Sequence, residues 1–274
     1  MDGDLDGLAL INECGYSDGV MSTPPRLFVK ADLTTHAVIA LAPDQSNYLF
    51  RVMRLEEGDR VRVFNGRDGE WIAKVTTKAR GTGILTADAQ TRAQTFSCDL
   101  HLLFAPLKKA RTDFVVEKAT ELGVSVLHPV VTTRSQSDKV RASRLQRIAE
   151  EAAEQTERMD TPLVHETAAL SAVLDGWREE RALFFCDEAG DDEEAPWGGE
   201  DGRAPPMIEA LKSRHAGPAA VLIGPEGGFT LEERLHLRKL PFVTPVSLGP
   251  RVLRAETAAI SALTLWQSML GDWT

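Results

Sequence analysis

Two glycine-proline turns near the C-terminal end constrain this sequence more than any other feature. The first is L-I-G-P-E-G-G-F-T, residues 222–230, and the second is L-G-P-R-V-L-R-A-E-T-A, residues 248–258. Each follows an apolar, strand-like run and opens toward a helix start. Glycine lets the backbone approach a ligand closely and present its amides. In open α/β sheets, turns at the carboxyl ends of strands are where ligands bind. Neither turn ends in the Gly-Lys-Ser/Thr of a phosphate-binding loop, and no G-x-G-x-x-G fingerprint is present. The first turn carries Glu226 and no Lys. A bare backbone with one carboxylate suits a ribose, a base and a positive centre, and suits a triphosphate poorly. One such turn alone reads as an ordinary strand-to-helix connection. Two, with Arg251, Arg254 and Glu256 beside the second, predict one shared pocket.

The pattern around the turns predicts an α/β fold. From about Cys98, strands and helices alternate. D-L-H-L-L-F-A-P reads as a strand, 109–122 as a helix stopped by Gly123, and V-S-V-L-H-P-V-V as the next strand. The stretch from 141 to about 158 is an amphipathic helix, with Leu145, Ile148, Ala149 and Ala152 at helical spacing. A-L-F-F-C, A-A-V-L-I-G and F-V-T-P-V-S-L-G are further strands, and Pro245 confines the last to an edge. Helices are expected at 206–214, after the capping box of Thr230 and Glu233, and at 255–270. Such alternation predicts a mostly parallel sheet with helices on both faces. Upstream, from 26 to about 94, short strands with tight turns predict a small β-barrel, interrupted by a helix at N-Y-L-F-R-V-M-R-L. The domain expectation is a flexible extension over 1–23, a β-barrel over 24–95 and an α/β domain over 96–274 with an acidic loop at 187–204.

Formal net charge is −10, which by itself argues against a nucleic-acid partner. Its distribution reverses that inference. Five acids lie in the first 20 residues and eight between Asp187 and Asp201, with no Lys or Arg among either set. Without these 13 acids, 28 remain against 31 bases, so the rest of the chain is mildly basic. Cys14, Cys98 and Cys186 are far apart and form no C-x-x-C pair, which indicates neither a disulfide framework nor a thiolate metal site and fits a reducing cytoplasm. The six histidines look scattered, no apolar run is long enough for a membrane span, and no metal is expected.

The two C-terminal motifs resemble the RsmE family, the 16S ribosomal RNA uracil-N3 methyltransferases of the SPOUT class. P-R-L-F-V, R-V-M-R-L-E-E-G-D, E-K-A-T-E-L-G-V, T-T-R-S-Q and E-A-A-E-Q-T-E-R follow that family's order as well. The likeness extends over nearly the whole chain. One departure is Glu157, where the family usually has Gly before Arg. The resemblance implies a PUA-like barrel followed by a parallel sheet whose last segments thread a deep trefoil knot. It implies S-adenosylmethionine as cofactor, read by Leu222, Ile223, Gly224, Pro225, Glu226, Gly227 and Gly228 and by Leu248, Gly249, Val252 and Leu253. It also implies a homodimer acting on 16S rRNA or the assembled small subunit, with 3-methyluridine as product.

Uridine N3 is a poor nucleophile until it loses its proton, so the site must align it and favour the deprotonated imide. Arg251 and Arg254 are the candidates for stabilising negative charge on the uracil carbonyls. Glu256 either orients an arginine or helps remove the proton. Equally, it is an acid in a first helical turn, favoured there by the helix dipole. Glu226 is expected to shape the cofactor site. The target base must be unpaired or flipped out, and phosphate contacts should supply affinity. Arg51, Arg54, Lys109, Arg134 and Arg158 lead that set, with Arg60, Arg62, Lys108, Arg111, Lys139, Arg141, Arg144 and Arg147 behind them. Competing readings are a SPOUT enzyme for another RNA position and an RNA-binding assembly factor without catalysis, which would have no need of the two glycine turns.

Overall fold

The computed structural model describes residues 23–79, 82–136, 140–187 and 204–273. The extension expected over 1–23 lies outside these residues except for Thr23, and the acidic loop over 187–204 lies outside except for its two ends.

Alternation in R-V-R-V-F buries Val61 and Val63 while Arg60 stays exposed, the signature of a half-covered strand. This strand is β3 (Arg60–Phe64). It forms a sheet with β1 (Arg26–Phe28), β2 (Val38–Ala40), β4 (Glu70–Ala79) and β5 (Thr82–Arg92), in the order β1-β3-β4-β5-β2. The N-G-R-D-G turn makes β3 and β4 an antiparallel hairpin, with Gly66 and Gly69 both at φ +78°. Register shifts in the β4–β5 ladder bend the sheet around Leu27, Leu49, Val61, Val63, Val75 and Leu85. Among the described residues β1 and β2 do not pair, so the barrel keeps an open seam. The helix expected at N-Y-L-F-R-V-M-R-L is instead a short α1 (Pro43–Asn47) running into a π-helical turn, Tyr48–Val52. Pro43 in its first turn starts it earlier than the apolar spacing indicated.

The second sheet holds β6 (Leu100–Phe104), β7 (Val126–Val131), β8 (Leu163–Val164), β9 (Ala168–Ala169), β10 (Ala182–Cys186), β11 (Ala219–Ile223) and β12 (Val243–Val246). All described pairings are parallel, in the order β12-β10-β11-β6-β7, with β8 and β9 both on β7. Parallel strands need crossovers, and those crossovers cover both faces. They are α2 (Lys109–Glu121), α3 (Ala142–Gln155), α4 (Leu170–Asp175), α5 (Met207–Lys212), α6 (Leu231–Lys239) and α7 (Ala255–Leu270). Leu102, Phe104 and Val221 pack with α2, α3 and α7 around Trp266 on one face. Leu103, Phe185 and Leu222 pack with α4 and α6 on the other. Every residue of β11 is buried, as a central strand requires, and Pro245 sits in edge strand β12 as expected. Sequence periodicity gave no sign of β8 and β9, which at two residues each are too short to have a period.

One buried arginine ties the two sheets together. Arg26, 5% exposed, donates to Glu70 Oε2 at 2.7 Å, Ala153 O at 2.6 Å and Arg158 O at 2.6 Å, and lies over the Phe64 ring. A buried charge is tolerated only when paired and bonded in this way. Just beyond α3, Glu157 adopts φ +60°. A left-handed residue cannot continue a helix, which is why α3 ends at Gln155 and not near 158. Glycine adopts that φ without a Cβ penalty. Here the glutamate carboxylate accepts from Arg62 at 2.8 Å and Arg92 at 3.2 Å.

Candidate functional site

Strand order sets the carboxyl ends of β10, β11 and β6 side by side, and the first glycine turn leaves from β11. A cavity of about 370 Å³ opens there, walled by Ile223 to Phe229 on one side and by Val252, Leu253, Arg254, Ala255 and Ala258 on the other. The shared pocket expected from the two turns is thus present. The glycines are required by close approach. A Cβ on Gly224 would lie 2.5 Å from the Phe229 ring, and one on Gly227 would lie 3.2 Å from Cβ of Arg134. Gly228 is at φ +66° and Gly249 at φ +116°. Ile223, Gly224, Pro225, Glu226, Gly227, Gly228, Val252 and Leu253 line the cavity. Leu222 instead faces the second core, and Leu248 packs against the first.

Cys186 and Asp187, at the end of β10, complete the wall. Asp187 is 3% exposed and held by Arg234 Nε at 2.7 Å and Arg238 Nη2 at 2.6 Å, both from α6. On sequence alone Asp187 belongs to the acidic loop. Its position directly after A-L-F-F-C was the available signal. The capping box forms as expected: Glu233 N donates to Thr230 Oγ1, and Thr230 N to Glu233 Oε2. Glu233 also accepts from Thr133, so the start of α6 is fixed to the segment after β7.

Arg254 is the N-cap of α7, exposed and on the cavity wall; Arg251 is exposed just upstream. Glu256 stands in the first turn of α7, with Oε1 3.6 Å from Arg111 Nε. Its Oε2 is buried without a hydrogen-bond partner among the described residues. An unsatisfied buried acceptor costs about 1–3 kcal/mol, so the arrangement favours a ligand that brings a donor. The first turn is braced by Arg134, whose Nη1 donates to Gly227 O at 3.1 Å.

The expected basic face divides. Arg51, Arg54 and Lys109 are exposed, and Lys108 and Lys109 open α2 just past the end of β6. Arg158 departs from its expected role. Its side chain is 8% exposed, bonded to Asp160 at 2.8 Å and Thr120 O at 2.7 Å, so it serves the interior. Arg134 is engaged with the glycine turn, Arg62 with Glu157, Arg144 with Asp113 and Arg147 with Asp44. Lys139 lies outside the described residues. The histidines are less scattered than expected. His101, His128 and His165 line up across adjacent strands, with His128 stacked on His165 at 4.5 Å. Burial pushes His101 down to about 4 and His128 to about 3. Among the described residues no three His, Cys, Asp or Glu side chains, this histidine row included, are placed to hold one metal ion, and no helix is long and apolar enough to cross a membrane.

Comparison with known proteins bears directly on this site. A family model described as an RNA methyltransferase domain matches residues 94–267, and one described as an RNA methyltransferase PUA domain matches 41–85. Ribosomal RNA small subunit methyltransferase E of Synechocystis is 30% identical, with 89% of this chain and 78% of that protein covered. The Rickettsia conorii protein of the same name is 28% identical over 87% of this chain and 93% of its own length. A Legionella pneumophila methyltransferase structure with bound SAM superimposes with a TM-score of 0.77 at 26% identity, covering 92% of this chain and all of that one.

Proposed function

The chain belongs to the RNA methyltransferase family, among the ribosomal RNA small subunit methyltransferase E proteins, and from that premise we propose that it methylates uridine N3 of 16S rRNA using S-adenosylmethionine. The observation that carries this reading is the cavity between the two turns, with glycine backbone on one wall and Arg254 on the other. The residues fit the cofactor. The glycine turn offers backbone groups at close range and Glu226 supplies a carboxylate for a cationic ligand. Next to Ala255 of the opposite wall, Glu256 Oε2 is a buried acceptor without a hydrogen-bond partner among the described residues. When bound, the cofactor supplies a methyl group activated by its sulfonium charge.

The chain's own tasks follow from the chemistry of uracil. Arg254, with Arg251 beside it, stabilises the negative charge that develops on the uracil carbonyls as N3 loses its proton. Glu256 orients an arginine or helps remove that proton. Arg51, Arg54 and Lys109 contact phosphate, with the PUA-like domain over 24–95 holding RNA and the remainder from 96 carrying the reaction. The placement of β11 between β6 and β10 supports a trefoil knot closed by the second turn. Exposed Leu231 and Leu235, one turn apart on α6, support a homodimer, and its place of action is the cytoplasm. The test is transfer of labelled methyl from S-adenosylmethionine to small-subunit RNA, naked and in assembled subunits, with nucleoside analysis. Label in 3-methyluridine is expected; label in another nucleoside would overturn the assignment of the target atom.

A further inference from the structure

Arg111 was grouped with the phosphate contacts on sequence, yet its surroundings assign it elsewhere. It lies in the first turn of α2, directly after β6. Its Nη1 is 3.4 Å from Glu226 Oε1 and its Nε 3.6 Å from Glu256 Oε1. Glu226 belongs to the first glycine turn, and Glu256 follows the second. Three segments remote in sequence therefore meet at one guanidinium beside the cavity. All three side chains are at least half shielded, with 35%, 25% and 16% exposure for Arg111, Glu226 and Glu256.

We propose that Arg111 is a positioning residue for methyl transfer, linking the two turns through Glu226 and Glu256 and setting the orientation of the Glu256 carboxylate. The proposal rests on the methyltransferase reading above and concerns how that site is held. Two carboxylates brought to one guanidinium repel each other, and a planar guanidinium with a fixed fork of donors offsets both at once. Both separations exceed the 2.7–2.9 Å typical of tight charge-assisted bonds. The link is therefore a loose ion pair to each turn and not a tight charge-assisted bond. Arg111 engages Oε1 of Glu256 and leaves Oε2 as the acceptor without a protein partner among the described residues. A guanidinium already facing two carboxylates is also poorly placed to receive a phosphate, since the cluster carries a net negative charge.

The test uses full-length protein with Arg111→Ala and Arg111→Lys. Cofactor affinity is measured by calorimetry without RNA, and kcat and the RNA KM are measured across a salt series. Arg111→Ala should weaken S-adenosylmethionine binding about tenfold and lower kcat about ten- to a hundredfold, with the RNA KM and its salt slope unchanged. Arg111→Lys should restore part of both losses, which also guards against a variant that merely misfolds. Glu226→Gln and Glu256→Gln should each have a smaller effect in the Arg111→Ala background than in the wild type. Unchanged cofactor affinity with a raised RNA KM and a shallower salt slope would identify a phosphate contact and overturn the proposal. Full additivity with both glutamates would overturn it as well. A wild-type protein that binds no S-adenosylmethionine would instead remove the methyltransferase reading itself.

Discussion

At the scale of single residues, sequence shows which charges exist but not which groups face them. The placement of Arg254 on the cavity wall and of Glu256 in the first turn of α7 was legible because both stand in a motif next to a turn. The engagements of Arg134 and Arg158 were not, because the carbonyls that hold them lie 93 and 38 positions away. The exposed Arg254 should be separable from stability. Arg254→Ala is expected to lower single-turnover methyl transfer about a hundredfold while the thermal midpoint stays put, as is usual for a surface substitution. Glu154 behaves differently. Burial between α3 and the barrel pushes its carboxyl up to about 7, although Phe28 N donates to it at 2.8 Å. The folded protein therefore holds a proton that the unfolded chain has released, from the ordinary carboxylate range up to about 7. Its contribution is complete in acid and is lost as pH rises through that window. Glu154→Gln, which stays neutral, should flatten the decline in stability between the ordinary carboxylate range and about pH 7, of order 1–3 kcal/mol in denaturant titrations.

At the scale of elements, periodicity gave most of the second sheet, and cap chemistry gave the start of α6. Thr230→Ala should cost about 1 kcal/mol, read from urea unfolding, because it leaves the Glu233 amide without its acceptor. The first glycine turn allows a paired experiment. Gly224→Ala forces a methyl onto the Phe229 ring, which cannot simply retreat because it meets Phe185 edge-on at 4.9 Å. Overpacking of that kind costs about 1–3 kcal/mol, and the displaced turn should bind S-adenosylmethionine at least tenfold more weakly. Gly228→Ala meets open space and bears only the left-handed backbone cost, about 1–2 kcal/mol. Equal losses of affinity in the two variants would show that space inside the turn is not what the glycines provide. What stayed hidden at this scale were the π-helical turn and the end of α3. Both depend on a local backbone choice that apolar spacing does not report.

At the scale of the molecule, two sheets could be read from the change of pattern near Cys98, but their junction could not. It depends on Arg26, a residue that in sequence looks like the start of an ordinary strand. Arg26→Ala would leave Glu70, 2% exposed, with a buried and weakly countered charge. The expected loss is about 3–5 kcal/mol. Unfolding followed separately by fluorescence and limited proteolysis should then split into two steps, the barrel first. A single cooperative transition at wild-type stability would show that the junction is held elsewhere. The strand ends beside the cavity carry one more consequence. Asp187 N donates to Val246 O, and Ser247 N to Pro205 O, so the chain on either side of 188–203 is pinned to consecutive residues of the β12 edge. The two anchors fix where the chain leaves and rejoins the β12 edge, and Asp187 itself lines the cavity. A reporter grafted between Asp187 and Ala204 would therefore sit beside the cofactor wall while every residue that forms that wall stays unaltered.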